Sequence, residues 1–240
     1  MLIKTRGIVL KTKKYSETSV IVDVFTEAKG LRSYIIGGVR QPKARVSAGL
    51  LQVMSLVDIV AYHREDKELT RLKEVKAFYA YRSIPFDIRK GAVGLFLIEV
   101  ARSTIQGHEE HPALFGFLAD NLVFLDETAV FSNLHLYFLL ALSWHLGFFP
   151  GGEFCGATPV FDMQEGLFIA GQPAHPYWLP ERMSQLLCQL RDVSKEQNGE
   201  VKMSREERRQ LLRHLLDYYR LHIGGFPEIH SHQVLEEVLA

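Results

Sequence analysis

Residues Ser19–Ile36, SVIVDVFTEAKGLRSYII, give the strongest indication of the fold. They contain two short runs of β-branched and aromatic residues, Ser19–Phe25 and Leu31–Ile36, and the segment Glu27–Gly30 separates them. Two such runs joined by a glycine-containing turn predict a β-hairpin in which Gly30 takes an unusual φ. The pattern therefore predicts that the chain begins with a sheet.

Three further segments extend this sheet. Ile3–Lys14 predicts a long first strand, Val53–Tyr62 and Leu72–Tyr79 predict two more, and Ala48–Val53 favours a short helix. Five strands of this size, with one long first strand, suit a small closed barrel better than an open sheet. We therefore expect residues 1–80 to form a barrel domain.

Apolar residues after Tyr81 recur three and four positions apart, which predicts helices. The predicted helices cover residues 88–106, 112–125, 133–146, 181–193, 204–222 and 233–239. Ser204 and Glu207 form a capping-box pattern at the start of the longest one. Residues 147–180 hold six glycines and five prolines, which indicates a loop-rich insertion. The expected fold class is α+β and multi-domain, with an N-terminal barrel at 1–80 and an otherwise all-helical domain at 81–240.

Positive charge is concentrated at the N-terminal end of a chain whose formal net charge is zero. Residues 1–45 hold ten Lys or Arg against three Asp or Glu, a surplus of +7. Residues 46–80 are balanced, so residues 81–240 carry −7. A concentrated positive potential attracts polyanions even when the net charge is zero, and this asymmetry points to nucleic acid.

Other features exclude several classes of protein. No apolar run reaches the roughly 18 residues that a membrane helix needs, and the N-terminus has no uninterrupted apolar segment typical of a secretory signal. The two cysteines form no disulfide framework. We therefore expect a cytoplasmic, reduced protein without a membrane partner.

The first nucleic-acid candidates follow from strand geometry. Alternate residues of a strand share a face, so Arg32 should project with Tyr34, and Lys11 with Lys13. A cation beside an aromatic ring suits single-stranded nucleic acid, because the charge follows the phosphates while the ring stacks on a base. The loop 37–45 adds three cations. The predicted DNA-binding residues are Lys11, Lys13, Lys14, Arg32, Tyr34, Arg40, Lys43 and Arg45.

Two parts of the chain resemble a known family. Residues 7–40, GIVLKTKKYSETSVIVDVFTEAKGLRSYIIGGVR, are similar to the N-terminus of the bacterial recombination mediators of the RecO family. The segment LLDYYRLHIGGFPEIHSHQVL is similar to the family's C-terminal helix, and the helix-rich middle matches in pattern only. The resemblance covers essentially the whole chain.

The resemblance implies an OB-fold barrel followed by a helical domain. It also implies binding to single- and double-stranded DNA, annealing of complementary strands, and joint action with RecR and single-stranded DNA-binding protein in recombinational repair at the bacterial nucleoid. The same resemblance makes Lys13, Lys14, Arg32 and the loop cations 40, 43 and 45 the best DNA contacts.

No metal or cofactor is expected. Many members of the family carry two Cys-x-x-Cys pairs for zinc in the region of 147–180, but here only Cys155 and His175 remain, and structural zinc needs four ligands. The region is therefore interpreted as a degenerate zinc finger. The cluster at 108–111 lacks the His-Glu-x-x-His spacing. Phosphate-binding loops and nucleophile elbows are absent from the sequence, so an enzyme is not expected.

Two questions stay open at the level of sequence. Arg205, Arg209 and Arg213 recur at four-residue spacing, and they form either an ordinary solvated helix face or an extension of the DNA path. Rival functions are an RNA-binding OB-fold accessory factor and a protein-interaction scaffold.

Overall fold

The computed structural model describes residues 1–39, 46–64, 67–105, 107 and 109–239. It separates into two compact units. The barrel unit comprises residues 1–87 and 98–127, and the helical unit comprises residues 88–97 and 128–240. None of the helices in the described part of the chain is both long and apolar enough to cross a membrane.

Five strands close into a barrel in the order β1-β2-β3-β5-β4. Their bounds are Leu2–Lys14 for β1, Val20–Thr26 for β2, Gly30–Ile36 for β3, Leu56–Tyr62 for β4 and Leu69–Tyr79 for β5. The long first strand pairs with both β2 and β4, and β3 runs parallel to β5. The predicted OB-fold barrel is confirmed.

Two local features of β1 allow it to pair with both β2 and β4. The pairing with β2 shifts by one residue between Val9 and Lys11, a bulge that bends the strand. A Cβ at Gly7 would lie 2.4 Å from a methyl of Val24, so only glycine lets the two strands approach here. Gly30 has a φ of 60°, as the turn sequence predicts. The predicted short helix is a 3₁₀ turn at Ala48–Leu51.

Helices account for most of the rest. Their bounds are Ile88–Thr104 for α1, Pro112–Glu127 for α2, Leu134–Leu146 for α3, Glu181–Asp192 for α4, Arg205–His222 for α5 and Ser231–Val238 for α6. Within the barrel unit, α2 packs Phe115 against Phe25 with ring centroids 6.2 Å apart. The predicted capping box is present, since Ser204 Oγ accepts the N–H of Glu207 and Glu207 Oε2 accepts the N–H of Ser204.

The insertion between α3 and α4 contains a small antiparallel sheet, which the sequence pattern does not predict. Its strands are β6 at Val160–Asp162, β7 at Leu167–Ile169 and β8 at Trp178–Leu179. Strands of two or three residues are too short to show an alternating pattern. The domain after residue 81 is therefore not wholly helical. Phe161 joins the sheet to α5 through the ring of Tyr218, at a centroid distance of 5.7 Å.

Candidate nucleic-acid interface

A row of outward-facing residues crosses the barrel from β1 to β5. Lys13 lies opposite Ile21 on β2, and Ile21 lies opposite Ile35 on β3. Ile35 is in register with Arg71 on the parallel strand β5. Since neighbouring strands are about 4.8 Å apart, the row spans about 14 Å. The row faces outward, because the residues that alternate with Ile21, Ile35 and Arg71 include the barrel-core residues Val20, Val22, Tyr34, Ile36 and Leu72.

A second row runs beside the first and adds one more cation. Lys11 lies opposite Asp23 on β2, and Asp23 lies opposite Ser33 on β3. Asp23 Oδ1 accepts a hydrogen bond of 2.6 Å from Ser33 Oγ. We call the surface formed by Lys11, Lys13, Ile21, Ile35 and Arg71 the cationic wall. It presents three cations around two half-buried isoleucines, with Asp23 at its edge.

The cations of the wall are not bound in ion pairs. Within the described ranges, no carboxylate oxygen lies within 4.0 Å of the side-chain nitrogens of Lys11, Lys13 or Arg71. Two other N-terminal cations differ: Arg6 Nε donates to Glu27 Oε2 at 2.9 Å, and Lys29 Nζ donates to Glu110 Oε1 at 2.6 Å. The wall therefore keeps charge that an anionic ligand can use.

The hydrogen bonds from Arg6 and Lys29 lower the pKa values of their carboxylate partners. The Arg6 guanidinium holds the pKa of Glu27 below its ordinary value, although burial opposes the shift. Lys29 likewise lowers the pKa of Glu110, chiefly by its hydrogen bond. Arg6 also lies over the rings of Phe78 and Phe115, at 5.7 and 5.6 Å from their centroids. Arg6 thus has a structural role in the barrel unit, and neither paired cation is a predicted DNA contact.

Tyr34 corrects one prediction. Arg32 and Tyr34 do share a face of β3, but it is the inner one, opposite Val24 and Val22. Tyr34 is 1% exposed within the barrel core, and burial raises the pKa of its hydroxyl to about 12 against the opposing charge of Arg32. A buried ring is not accessible to a base, so Tyr34 is a core residue rather than a stacking platform. Arg32 is partly buried, and its Nε atom is fully so.

Two residues of the candidate interface were not predicted from the sequence. Tyr15, in the turn after β1, is 62% exposed and follows Lys13 and Lys14 directly. The sequence shows that Tyr15 begins the Tyr-Ser-Glu segment, but it does not show that the side chain is exposed. Arg71 lies far from the N-terminal cluster in sequence, and only the parallel pairing of β3 with β5 brings it onto the wall.

Of the remaining predicted cations, one lies in the described part of the chain and three do not. Lys14 lies exposed at the end of β1, opposite Val20. Arg40, Lys43 and Arg45 lie outside the described residues. The described residues on either side, Val39 and Val46, both pack in the barrel core. Val39 also donates its N–H to Thr18 O at 3.1 Å, beside the turn that carries Tyr15.

The arginine stripe on α5 is largely engaged within the helical unit. Arg209 Nε lies 3.2 Å from Glu236 Oε2, and Arg213 Nη2 lies 2.9 Å from the same oxygen. Arg205 is exposed, and it has no ion pair among the described residues. The pairing with α6 favours the interpretation of Arg209 and Arg213 as an ordinary helix face.

The residual zinc candidates have other partners. Cys155 Sγ lies 3.2 Å from Thr158 Oγ1, and His175 Nε2 lies 3.2 Å from Asp162 Oδ2. In the part of the chain that the structure describes, no three His, Cys, Asp or Glu side chains are grouped so that they could hold a metal ion.

Comparison with known proteins gives consistent matches over the whole chain. The family model described as "Recombination protein O N terminal" matches residues 1–81, and "Recombination protein O C terminal" matches residues 85–231. Proteins named DNA repair protein RecO are similar over the full length. Those of Phocaeicola vulgatus and Bacteroides fragilis are 36% and 37% identical, with 100% and 99% of each chain covered. That of Flavobacterium johnsoniae is 34% identical, with 100% of each chain covered.

Proposed function

Because the chain belongs to the RecO family and so has a role in DNA repair and recombination, we propose that it is a recombination mediator that binds DNA on the cationic wall. Its ligands are single- and double-stranded DNA. It acts by binding and annealing strands rather than as an enzyme, and it works in the cytoplasm at the bacterial nucleoid.

One observation carries this proposal. Lys11, Lys13 and Arg71 stand on one outer surface without ion pairs in the described chain, while Arg6 and Lys29 are paired with carboxylates. Cations without carboxylate partners are available to replace the counterions of a phosphate backbone, and counterion release drives most non-specific DNA affinity. The proposed interface therefore begins with these three residues and extends to Lys14.

Stacking supplies the second part of the interface. The exposed ring of Tyr15 lies in the turn that follows Lys13 and Lys14, where a base of a strand held by these cations can reach it. Base stacking on an aromatic ring contributes about 1–3 kcal/mol and tolerates any base sequence. Half-buried Ile21 and Ile35 give the wall an apolar centre against which bases can lie.

Annealing follows from the same surface. Two strands held on one cationic surface repel each other less, and their effective concentration rises. Pairing of complementary strands is itself favourable, so the reaction requires no ATP. The helical part of the chain, which has a charge of −7 over residues 81–240, is the proposed docking region for RecR and single-stranded DNA-binding protein.

The test is the annealing of two complementary oligonucleotides coated with single-stranded DNA-binding protein, in the absence of ATP. The intact chain should accelerate annealing, and the variant Lys11→Gln/Lys13→Gln/Arg71→Gln should lose most of the acceleration. A matched control, Arg102→Gln/Lys202→Gln/Arg220→Gln, removes the same charge from exposed positions elsewhere and should anneal normally.

The possible outcomes separate the alternatives. Equal loss in the control variant would mean that net charge, not the wall, drives annealing. No acceleration by the intact, folded chain would contradict the mediator proposal. Tighter binding of a structured RNA than of single-stranded DNA would favour the RNA-binding alternative.

A further inference from the structure

A pocket of about 160 Å³ lies in the helical unit between α5 and α6, with His135 of α3 in its lining. Arg205, Arg208, Arg209 and Leu212 of α5 line the pocket, together with Leu235, Glu236 and Leu239 at the C-terminal end of the chain. The volume has room for several water molecules and thus for a small anion. The pocket belongs to a different unit from the cationic wall, so what it binds is a separate question.

Arg208 is a partly buried cation without a counter-ion in the described chain. Its Nε donates to Asn133 Oδ1 at 3.0 Å, and no carboxylate of the described residues forms an ion pair with it. Asn133 is itself held, because its Nδ2 donates to the carbonyls of Asn198 and Val201 at 2.8 and 2.9 Å. The guanidinium is therefore fixed in position by an uncharged partner.

Burial and the nearby charge of Arg205 both disfavour the charged form of Arg208. Burial lowers the pKa of Arg208, and the positive charge of Arg205 lowers it further. Two guanidinium groups that repel each other at one pocket are stabilised when an anion binds between them. Arginine also suits oxyanions, because its planar donors match the geometry of phosphate and carboxylate oxygens.

His135 is a second, independent sign of a ligand. Its side chain is buried at 1% exposure, and its Nδ1 atom has no hydrogen-bond partner among the described residues. Burial, with the charge of Arg208, holds the pKa of its imidazole at about 3, so the ring is neutral at pH 7. A neutral imidazole carries one N–H group, so His135, which lines the pocket, can donate one hydrogen bond to a bound anion.

The charge balance indicates what kind of anion fits. The lining holds three guanidinium groups and one carboxylate, that of Glu236. Arg209 is neutralised, since it lies 3.2 Å from Glu236 Oε2 and 3.6 Å from Glu206 Oε2. Arg205 and Arg208, which have no ion pair among the described residues, supply a surplus of two positive charges. We propose that this pocket binds a doubly charged oxyanion, namely a phosphate group, with Arg205 and Arg208 as its main ligands and His135 as a hydrogen-bond donor. The lining leucines, Leu212, Leu235 and Leu239, accommodate the organic part of a phosphate monoester.

Titration calorimetry with inorganic phosphate, in a buffer without other polyvalent anions, is the test. We expect one saturable site on the full chain, and a loss of affinity of tenfold or more in Arg205→Gln. Arg208→Gln should behave alike, but it also removes the bond to Asn133. Arg205→Gln is therefore the decisive variant, since Arg205 has no partner in the described chain that its loss would expose. Arg220→Gln, on the same helix but outside the pocket, is the control.

A spectroscopic readout separates a specific site from general charge attraction. Phosphate should shift the ¹⁵N resonance of His135 Nδ1 in the intact chain and leave it unchanged in Arg205→Gln. Nucleoside 5′-monophosphate and the unphosphorylated nucleoside distinguish a monoester ligand from free phosphate, because only the monoester should gain affinity from contact with the lining leucines. Non-saturable binding, equal loss in Arg220→Gln, or an unmoved His135 signal would each overturn the proposal.

Discussion

The carboxylate of Asp126 holds the backbone of Ser83, since its Oδ1 accepts the Ser83 N–H at 2.8 Å. The same carboxylate accepts the N–H groups of Arg82 and Ile84 at 2.8 and 2.9 Å. Tyr79 donates its hydroxyl to Asp126 Oδ2 at 3.0 Å. One side chain near the end of α2 thus satisfies three successive amides that follow the last barrel strand.

Replacing Asp126 tests this arrangement. Burial alone would raise the pKa of Asp126, but the bonds from Ile84, Arg82, Ser83 and Tyr79 outweigh it and lower the pKa to about 2. A carboxylate whose pKa is depressed on folding stabilises the protein above its unfolded pKa of about 4 and loses that contribution as the pH falls towards 2. We expect Asp126→Asn to cost about 2 kcal/mol at pH 7.

Urea unfolding at pH 7 and at pH 3 measures this effect. The difference between wild type and Asp126→Asn should shrink at the lower pH, because the Asp126 carboxyl of the unfolded chain is then largely protonated while the native carboxylate is still mostly ionised. A difference that is equal at both pH values would show that charge does not contribute.

The salt dependence of DNA binding tests the cationic wall quantitatively. Each phosphate neutralised on single-stranded DNA contributes about −0.7 to the slope of log K against log [salt]. Lys11→Gln/Lys13→Gln/Arg71→Gln should therefore reduce the magnitude of the slope by about 2, as measured by fluorescence anisotropy across a salt series. An unchanged slope would remove these residues from the interface, whatever the change in affinity at one salt concentration.

Tyr15 is the proposed stacking residue. Tyr15→Ala should weaken binding of single-stranded DNA by about 1–3 kcal/mol, because a stacked ring is lost, while Tyr15→Phe should bind almost normally. Tyr62, which is 45% exposed and pairs with Leu2 at the far end of β1, provides the matched control. Equal effects of Tyr15→Ala and Tyr62→Ala in an anisotropy titration would argue against a specific stacking site.

Tyr34 should behave in the opposite way. Its buried hydroxyl has no hydrogen-bond partner among the described residues, so Tyr34→Phe should not lower stability and should leave DNA affinity unchanged. Tyr34→Ala should instead cost about 3–5 kcal/mol by leaving a cavity in the barrel. Thermal unfolding and anisotropy on both variants check this pair of results, and a large binding defect in a stable Tyr34→Phe variant would restore Tyr34 to the interface.

The capping box at α5 gives a prediction for the helical unit. Ser204→Ala removes the hydroxyl that accepts the Glu207 N–H at 3.2 Å and should cost about 1 kcal/mol. For a chain of this size that corresponds to a fall in Tm of about 2–4 °C. Calorimetry measures the shift, and the absence of any fall would indicate that Arg182, which donates to Glu207 Oε1 at 2.7 Å, holds this helix start without the cap.

Much of the fold could be predicted because its signals are local. Each barrel strand lies within three residues of its predicted bounds, since alternating β-branched residues and the turn at Gly30 specify strands without help from distant contacts. The start of α5 was predicted for the same reason, as Ser204 and Glu207 are three residues apart. The sheet formed by β6, β7 and β8 was not, because strands that short depend on packing for their stability.

A strand-rich, cation-rich N-terminal region followed by helices can be predicted from residue order alone, because residue order sets both periodicity and local charge. Which side chains a ligand can reach depends instead on how the strands and helices pack together. Alternation showed that Arg32 and Tyr34 share a face, but barrel closure made that face the interior. The parallel pairing of β3 with β5 brought Arg71 beside the N-terminal cations. Such exposure and long-range proximity arise from strand order in the closed barrel, which no local pattern encodes.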